Sequence, residues 1–103
     1  MSTVLNELVR EGIATEVYEV VRVYRIHLKG NPQLLQVKIL RDDDGRFVPS
    51  LSHDIQEPKA AGPYSPSWHP GKTIEDAQEQ VRSHISTSYK PGRGDKLVPN
   101  ESF

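Results

Sequence analysis

A turn followed by a capped helix constrains this chain more than any other feature in it. Val37-Lys38-Ile39-Leu40 alternates as a strand does, Asp42-Asp43-Asp44-Gly45 interrupts it, and Arg46-Phe47-Val48 resumes it. Glycine accepts positive φ without penalty, so Asp-Gly between two apolar runs marks a hairpin. Further on, Gly71-Lys72-Thr73-Ile74-Glu75-Asp76-Ala77 offers a capping hydroxyl, acids in the first turn and the beginning of an apolar stripe. Hairpin, connection and helix together outline a small α+β domain. The chain has 103 residues, enough for one domain, and only 35% of them are hydrophobic, which predicts a modest core.

The rest of the chain fills in around these two signals. Val4, Leu5, Leu8 and Val9 follow helical spacing, with Ser2 or Thr3 as cap and Gly12 as stop, which predicts a helix over residues 3–11. A helix that short must dock on something to persist in water. Residues 14–29 are rich in β-branched and aromatic types. Tyr18, Val20, Arg22, Tyr24, Ile26 and Leu28 would share one face, apolar apart from Arg22. Helical spacing also fits this stretch, and composition decides for strand. Gly30-Asn31-Pro32 is a turn, and residues 33–41 alternate with Leu35, Val37 and Ile39 on one side. Pro49 cannot donate to a ladder, so the return strand at 46–51 belongs at an edge or a bulge. Residues 52–72 read as a long irregular connection with room for one short strand near Tyr64–Trp68. The helix over 73–88 carries Ile74, Ala77, Val81 and Ile85 on its apolar stripe, with Gln80 on the opposite side. Pro91-Gly92-Arg93-Gly94 ends that region. The expected fold is an antiparallel sheet of three or four strands with the C-terminal helix packed on one face and a short N-terminal helix, in the order α-β-β-β-α. Residues 1–90 form the single domain and 91–103 a flexible tail.

Charge and motifs exclude several chemistries. The net charge is -1, which points to no polyanion partner. The acidic excess is local: residues 41–57 carry -3, at the hairpin tip. There is no cysteine, no apolar run near the ~20 residues a membrane helix needs, and no basic-then-apolar leader at Met1-Ser2-Thr3, which together suit a cytoplasmic protein. Gly71-Lys72-Thr73 ends like a phosphate-binding loop, but the position that needs the first glycine is Pro66, which has no N–H to offer. Asp42 would open a calcium loop whose closing Glu is missing, since position 53 is His53. His27, His53, His69 and His84 form no helical metal pair. Arg93-Gly94-Asp95 matches an adhesion tripeptide by letters only and reads as tail. No catalytic, cofactor-binding or metal-binding residue is expected. An enzyme with its site in the 53–72 connection, where His53, Asp54 and His69 lie, is the remaining alternative of that class.

The two opening signals resemble the HicB-like antitoxin family, whose small domain has an Asp-rich turn, Gly, an aromatic and Val, then a Gly-x-Thr-x-Glu-x-Ala helix start. Here these are Asp42-Asp43-Asp44-Gly45-Arg46-Phe47-Val48 and Gly71-Lys72-Thr73-Ile74-Glu75-Asp76-Ala77, and the resemblance spans residues 34–86. The chain departs in its longer Pro/Ser-rich connection, its extra N-terminal helix and strand, and the lack of an appended DNA-binding element. The resemblance implies a protein-binding module without operator binding and carries over no enzyme activity. The expected function is a small non-enzymatic protein-interaction module, either HicB-like or an accessory subunit of a larger complex. Candidate partner-binding residues are Asp42, Asp43 and Asp44 at the acidic tip, Tyr64 with Trp68 in the Pro-rich connection, and the sheet edge near Pro49. The α-β-β-β-α order also resembles a double-stranded-RNA-binding fold. That fold needs a lysine cluster where this helix opens with Glu75, Asp76 and Glu79. A nucleic-acid alternative would instead rest on Arg22, Arg25, Lys29 and Lys38 as a basic stripe, provided Arg22 faces solvent.

Overall fold

The computed structural model describes residues 3–103. A 3-10 turn, Val4–Asn6, runs into the short helix α1, Glu7–Arg10. Thr3 caps the turn, its hydroxyl accepting from the Leu5 N–H at 3.4 Å, while Ser2, the other candidate cap, lies outside the described residues. The strands β1 (Glu19–His27), β2 (Leu34–Arg41) and β3 (Phe47–Leu51) form an antiparallel sheet in that order. Next come β4 (His53–Gln56), the helix α2 (Ile74–Ser88) and β5 (Lys96–Pro99). β4 and β5 pair antiparallel as a second, two-stranded sheet, with Ile55 opposite Leu97. The α+β architecture matches expectation and the α-β-β-β-α order of elements broadly does; β4, β5 and the second sheet they form are additional.

Local chemistry explains the clearest elements. In the hairpin turn, Asp42 Oδ1 accepts from the N–H groups of Asp44 and Arg46, both at 2.9 Å, and Gly45 takes φ +76°. At α2, the Thr73 hydroxyl accepts from the Asp76 N–H at 3.1 Å and Asp76 Oδ2 accepts from the Thr73 N–H at 3.2 Å, a complete capping box. Pro49 sits on an edge strand, where its missing N–H costs no ladder bond, and its ring is fully buried.

β1 differs from the alternation expected of it. Its register against β2 shifts between Val20 and Arg22, leaving Val21 as a bulge. An extra residue reverses the parity of every side chain before it. Tyr24, Ile26 and Leu28 therefore turn inward as expected, but Tyr18 and Val20 are exposed and Val21 packs on the core instead.

The C-terminal segment is a correction. Residues 91–103 do not form a free tail: β5 completes the second sheet, and Leu97, 4% exposed, joins Leu28, Leu35, Val37, Ile39, Leu51, Ile55, Ala77, Val81 and Tyr89 in one core. The domain thus extends past residue 90. Arg93-Gly94-Asp95 is a structural turn. The buried Asp95 carboxylate accepts from Arg93 Nε at 2.7 Å and from the Lys90 N–H at 2.8 Å, while Gly92 and Gly94 take φ of +81° and +92°. The Arg93 guanidinium, helped by the Lys90 N–H, holds the Asp95 carboxyl below its ordinary range, although burial opposes this. Ser52 joins the two sheets. Its N–H donates to the Gln36 carbonyl, its hydroxyl accepts from the Gln36 N–H, and its carbonyl accepts from the Asn100 N–H.

Candidate functional site

The 57–73 connection is not a free loop. Tyr64 N–H donates to the Ile55 carbonyl at 3.0 Å, which lays residue 64 against β4 on the side away from β5. Ser65 Oγ donates to Asp54 Oδ2 at 2.8 Å. At the far end, the Gln80 carboxamide grips both backbone groups of His69, accepting from its N–H at 3.0 Å and donating to its carbonyl at 2.7 Å. Gly71 then exchanges two 2.8 Å hydrogen bonds with Phe47 on the open edge of β3. A β-carbon at Gly71 would stand 2.6 Å from Asp76 Cβ, so only glycine permits this approach to the cap of α2. The connection is a strap, and Tyr64-Ser65-Pro66-Ser67-Trp68 is its pinned middle.

Beneath the strap lies His84. Its ring is 5.7 Å from that of Tyr64, tilted, and 5.5 Å from that of Trp68, edge-on. His84 Nδ1 is 3.3 Å from Ser88 Oγ, and its buried Nε2 has no partner among the described residues. Burial pushes the imidazole below its ordinary pKa, with the Asp54 charge opposing. Tyr64, Pro66, Trp68, Glu79, Ser83 and Thr87 line a broad recess of about 460 Å³ above it. Tyr64 is 59% exposed and Trp68 half-buried, so the tryptophan rests on the core and also faces the recess. The sequence reading missed His84 and Gln80. His84 follows Ala77 and Val81 at helical spacing, a usable signal, whereas Gln80, expected opposite the apolar stripe, holds the strap.

The other candidate residues fall elsewhere. Asp42, Asp43 and Asp44 sit at the hairpin tip and line a separate shallow pocket with Thr15–Tyr18. Two of the three are engaged by Arg46, whose guanidinium lies 3.3 Å from Asp42 and 3.1 Å from Asp44. For Asp42, partial burial opposes its charge, but the N–H groups of Arg46 and Asp44 outweigh it and lower the pKa. Asp42 and Asp44 are therefore satisfied within the turn, and Asp43 is exposed. The structure does not gather it with Tyr64 and Trp68 in one pocket. The proposed basic stripe is divided as well. Arg22 lies opposite the buried Ile39, whereas Arg25 and Lys38 lie on the other face, opposite Gln36 and Val23. Lys38 Nζ sits 3.9 Å over the Phe103 ring. His53 Nδ1 is taken up by Ser52 Oγ at 2.7 Å, while His69 is exposed on the strap.

A second open surface was not foreseen. α2 packs chiefly on β3 and touches β2 less. The inner face of β1 is left partly uncovered, as a groove of about 330 Å³ lined by Tyr24, Ile26, Val37, Ile39, Val81 and Ile85. Val81 is buried as expected, but Ile85 is only half-buried and forms the groove wall.

Comparisons with family models, with curated proteins and with solved structures find no match to this chain. Among the described residues, no helix is long and apolar enough to cross a membrane.

Proposed function

We propose that this protein is a small, non-enzymatic protein-interaction module, and that its partner docks on the Tyr64–Trp68 recess. One observation carries the reading. An aromatic pair is left accessible on a strap that is pinned at both ends before any partner arrives. Partly exposed Trp and Tyr on a rigid support are the residues that dominate binding energy at protein interfaces. Preorganisation removes much of the ordering cost of association. The HicB-like resemblance, which implies protein binding, points the same way and rests only on the turn and cap motifs. A cytoplasmic location is part of the same reading.

The geometry favours binding over catalysis. Ser88, His84 and Asp54 are the residue types of a hydrolytic triad, but a triad needs the acid to orient the imidazole. Here Asp54 Oδ2 accepts from Ser65, and His84 Nε2 is buried and unbonded. The divided basic residues likewise offer no single phosphate-tracking face.

The test is quantitative affinity mass spectrometry from native cells with wild type, Trp68→Ala and Tyr64→Ala, each confirmed folded by far-UV circular dichroism and a cooperative urea melt. The same partner should be lost from both variants and retained by Asp43→Ala at the hairpin tip. Partners unchanged by both aromatic substitutions would contradict the reading. A micromolar or tighter, steeply salt-dependent complex with duplex RNA or DNA would replace it with the nucleic-acid one.

A further inference from the structure

Two apolar features of this chain remain unsatisfied, and they match each other. The first is the groove between α2 and the inner face of β1. The second is the N-terminal arm. No residue of the 3-10 turn or of α1 is fully buried: Val4, Leu5 and Ile13 are 85%, 58% and 73% exposed, and Leu8 and Val9 are half-buried. Yet the arm is well specified locally. Thr3 caps its start; at its end the N–H groups of Ile13 and Ala14 both donate to the Leu8 carbonyl, with Gly12 at φ +73°. A single short helix with such caps and an exposed apolar stripe lacks the packing that normally sustains one in water.

We propose that the arm, Val4–Ile13, docks in the groove of a second copy of this chain, the two copies exchanging arms about a two-fold axis. Lengths agree. Val4–Arg10 spans about 11 Å as a helix, and the groove wall on α2 runs about 12 Å, from Gln78, whose Nε2 donates to the Tyr24 hydroxyl across that end, to Ser86. The apolar chemistry agrees too. Val4, Leu5, Leu8 and Val9 form a stripe suited to Tyr24 and Ile26 on the groove floor and Ile85 on its wall, while Glu7 and Arg82 are each paired on their own helix, with Arg10 and Glu79. On its own chain the arm stands at the hairpin end of the sheet, where Leu5 and Asn6 share a pocket with Tyr18, Arg41 and Asp42. The molecule is elongated, 49 × 26 × 20 Å, with a radius of gyration of 15.5 Å against about 13 Å for a compact chain of this length. A reciprocal exchange closes on itself, so it yields a dimer rather than a filament.

The chain contains no cysteine, so introduced thiols report the contact without interference. Leu5→Cys protein is mixed with Ile85→Cys protein and oxidised, and wild type is followed by sedimentation velocity from low micromolar to near-millimolar concentration. The expected results are a concentration-dependent dimer, a mixed disulfide between the two variants, and loss of the dimer on removing residues 1–13. Leu5→Asp, which changes only an exposed side chain, should also abolish it while leaving the monomer folded. A monomer at every concentration overturns the proposal. So does a dimer that survives arm removal, or a Leu5→Cys/Ile85→Cys double variant that closes only within one chain.

Discussion

The two ends of this molecule began with similar credentials and came to opposite ends. The N-terminal segment carries four apolar residues at helical spacing and good caps, yet none of its side chains is buried within the chain. The C-terminal segment, broken by Pro91, Gly92 and Gly94, supplies a core residue at Leu97 and a strand of the second sheet. Local propensity therefore does not decide which segment joins a fold. Long-range partners decide. Leu97 meets Ile55 across a ladder, and Asp95 receives the Lys90 N–H and the Arg93 guanidinium in a buried turn. The arm has caps, and on its own chain only a pocket shared with Tyr18, Arg41 and Asp42 that leaves Val4 and Leu5 exposed.

This contrast can be broken at several points, beginning with the largest effect. Leu97→Asp, or removal of residues 91–103, should unfold the domain. A buried unpaired carboxylate costs several kcal/mol against a total stability of about 5–15 kcal/mol. Urea melts check it, and a midpoint close to wild type for either variant would break the contrast.

Gln80→Ala comes next. It removes both hydrogen bonds that hold His69 and should cost about 1–3 kcal/mol, with the strap between Tyr64 and Trp68 loosened. Resonance broadening confined to residues 64–70 would sharpen the assignment of the strap as a separately anchored unit.

Acid should act on the same unit. His84 is held neutral by burial, so its folded pKa lies below the ordinary value of about 6.5. The unfolded chain binds the extra proton more readily, so this contribution is fully present above pH 6.5 and is lost as pH falls through the folded value. Melts from pH 8 downward should show stability declining below about pH 6.5, and His84→Phe should flatten that decline. Asp95, whose pKa is lowered, contributes a second loss at more acidic pH, below about 4.

The smallest effect belongs to the arm. Leu5→Ser should change monomer stability by less than about 0.5 kcal/mol, as an exposed substitution does. A loss as large as that of Leu97→Asp would show that the arm packs on its own chain.

What was legible follows from range. The hairpin turn and the capping box rest on atoms within four residues of one another, so Asp42, Gly45, Thr73 and Asp76 disclosed them. Pro49 disclosed an edge because its lost N–H acts in any context. The bulge at Val21, the second sheet and the strap depend on partners well beyond one helical turn, 11 residues away for Gln80 to His69 and dozens away for Asn100 to Ser52. Of the candidate site, Tyr64 and Trp68 could be picked out from their Pro-flanked setting. His84 beneath them was visible only as one more position at helical spacing. The groove could not be read at all, because it arises from where α2 leans across the sheet rather than from which residues α2 presents.

Residue-resolved amide hydrogen exchange at a concentration where the protein is monomeric tests the contrast most directly. The account predicts slow exchange for the ladder amides of β4 and β5, close to the protection of β2. Residues 4–10 should exchange at nearly the rate of an unfolded chain. Residues 96–98 exchanging as fast as residues 4–10, or an arm as protected as β5, would contradict it.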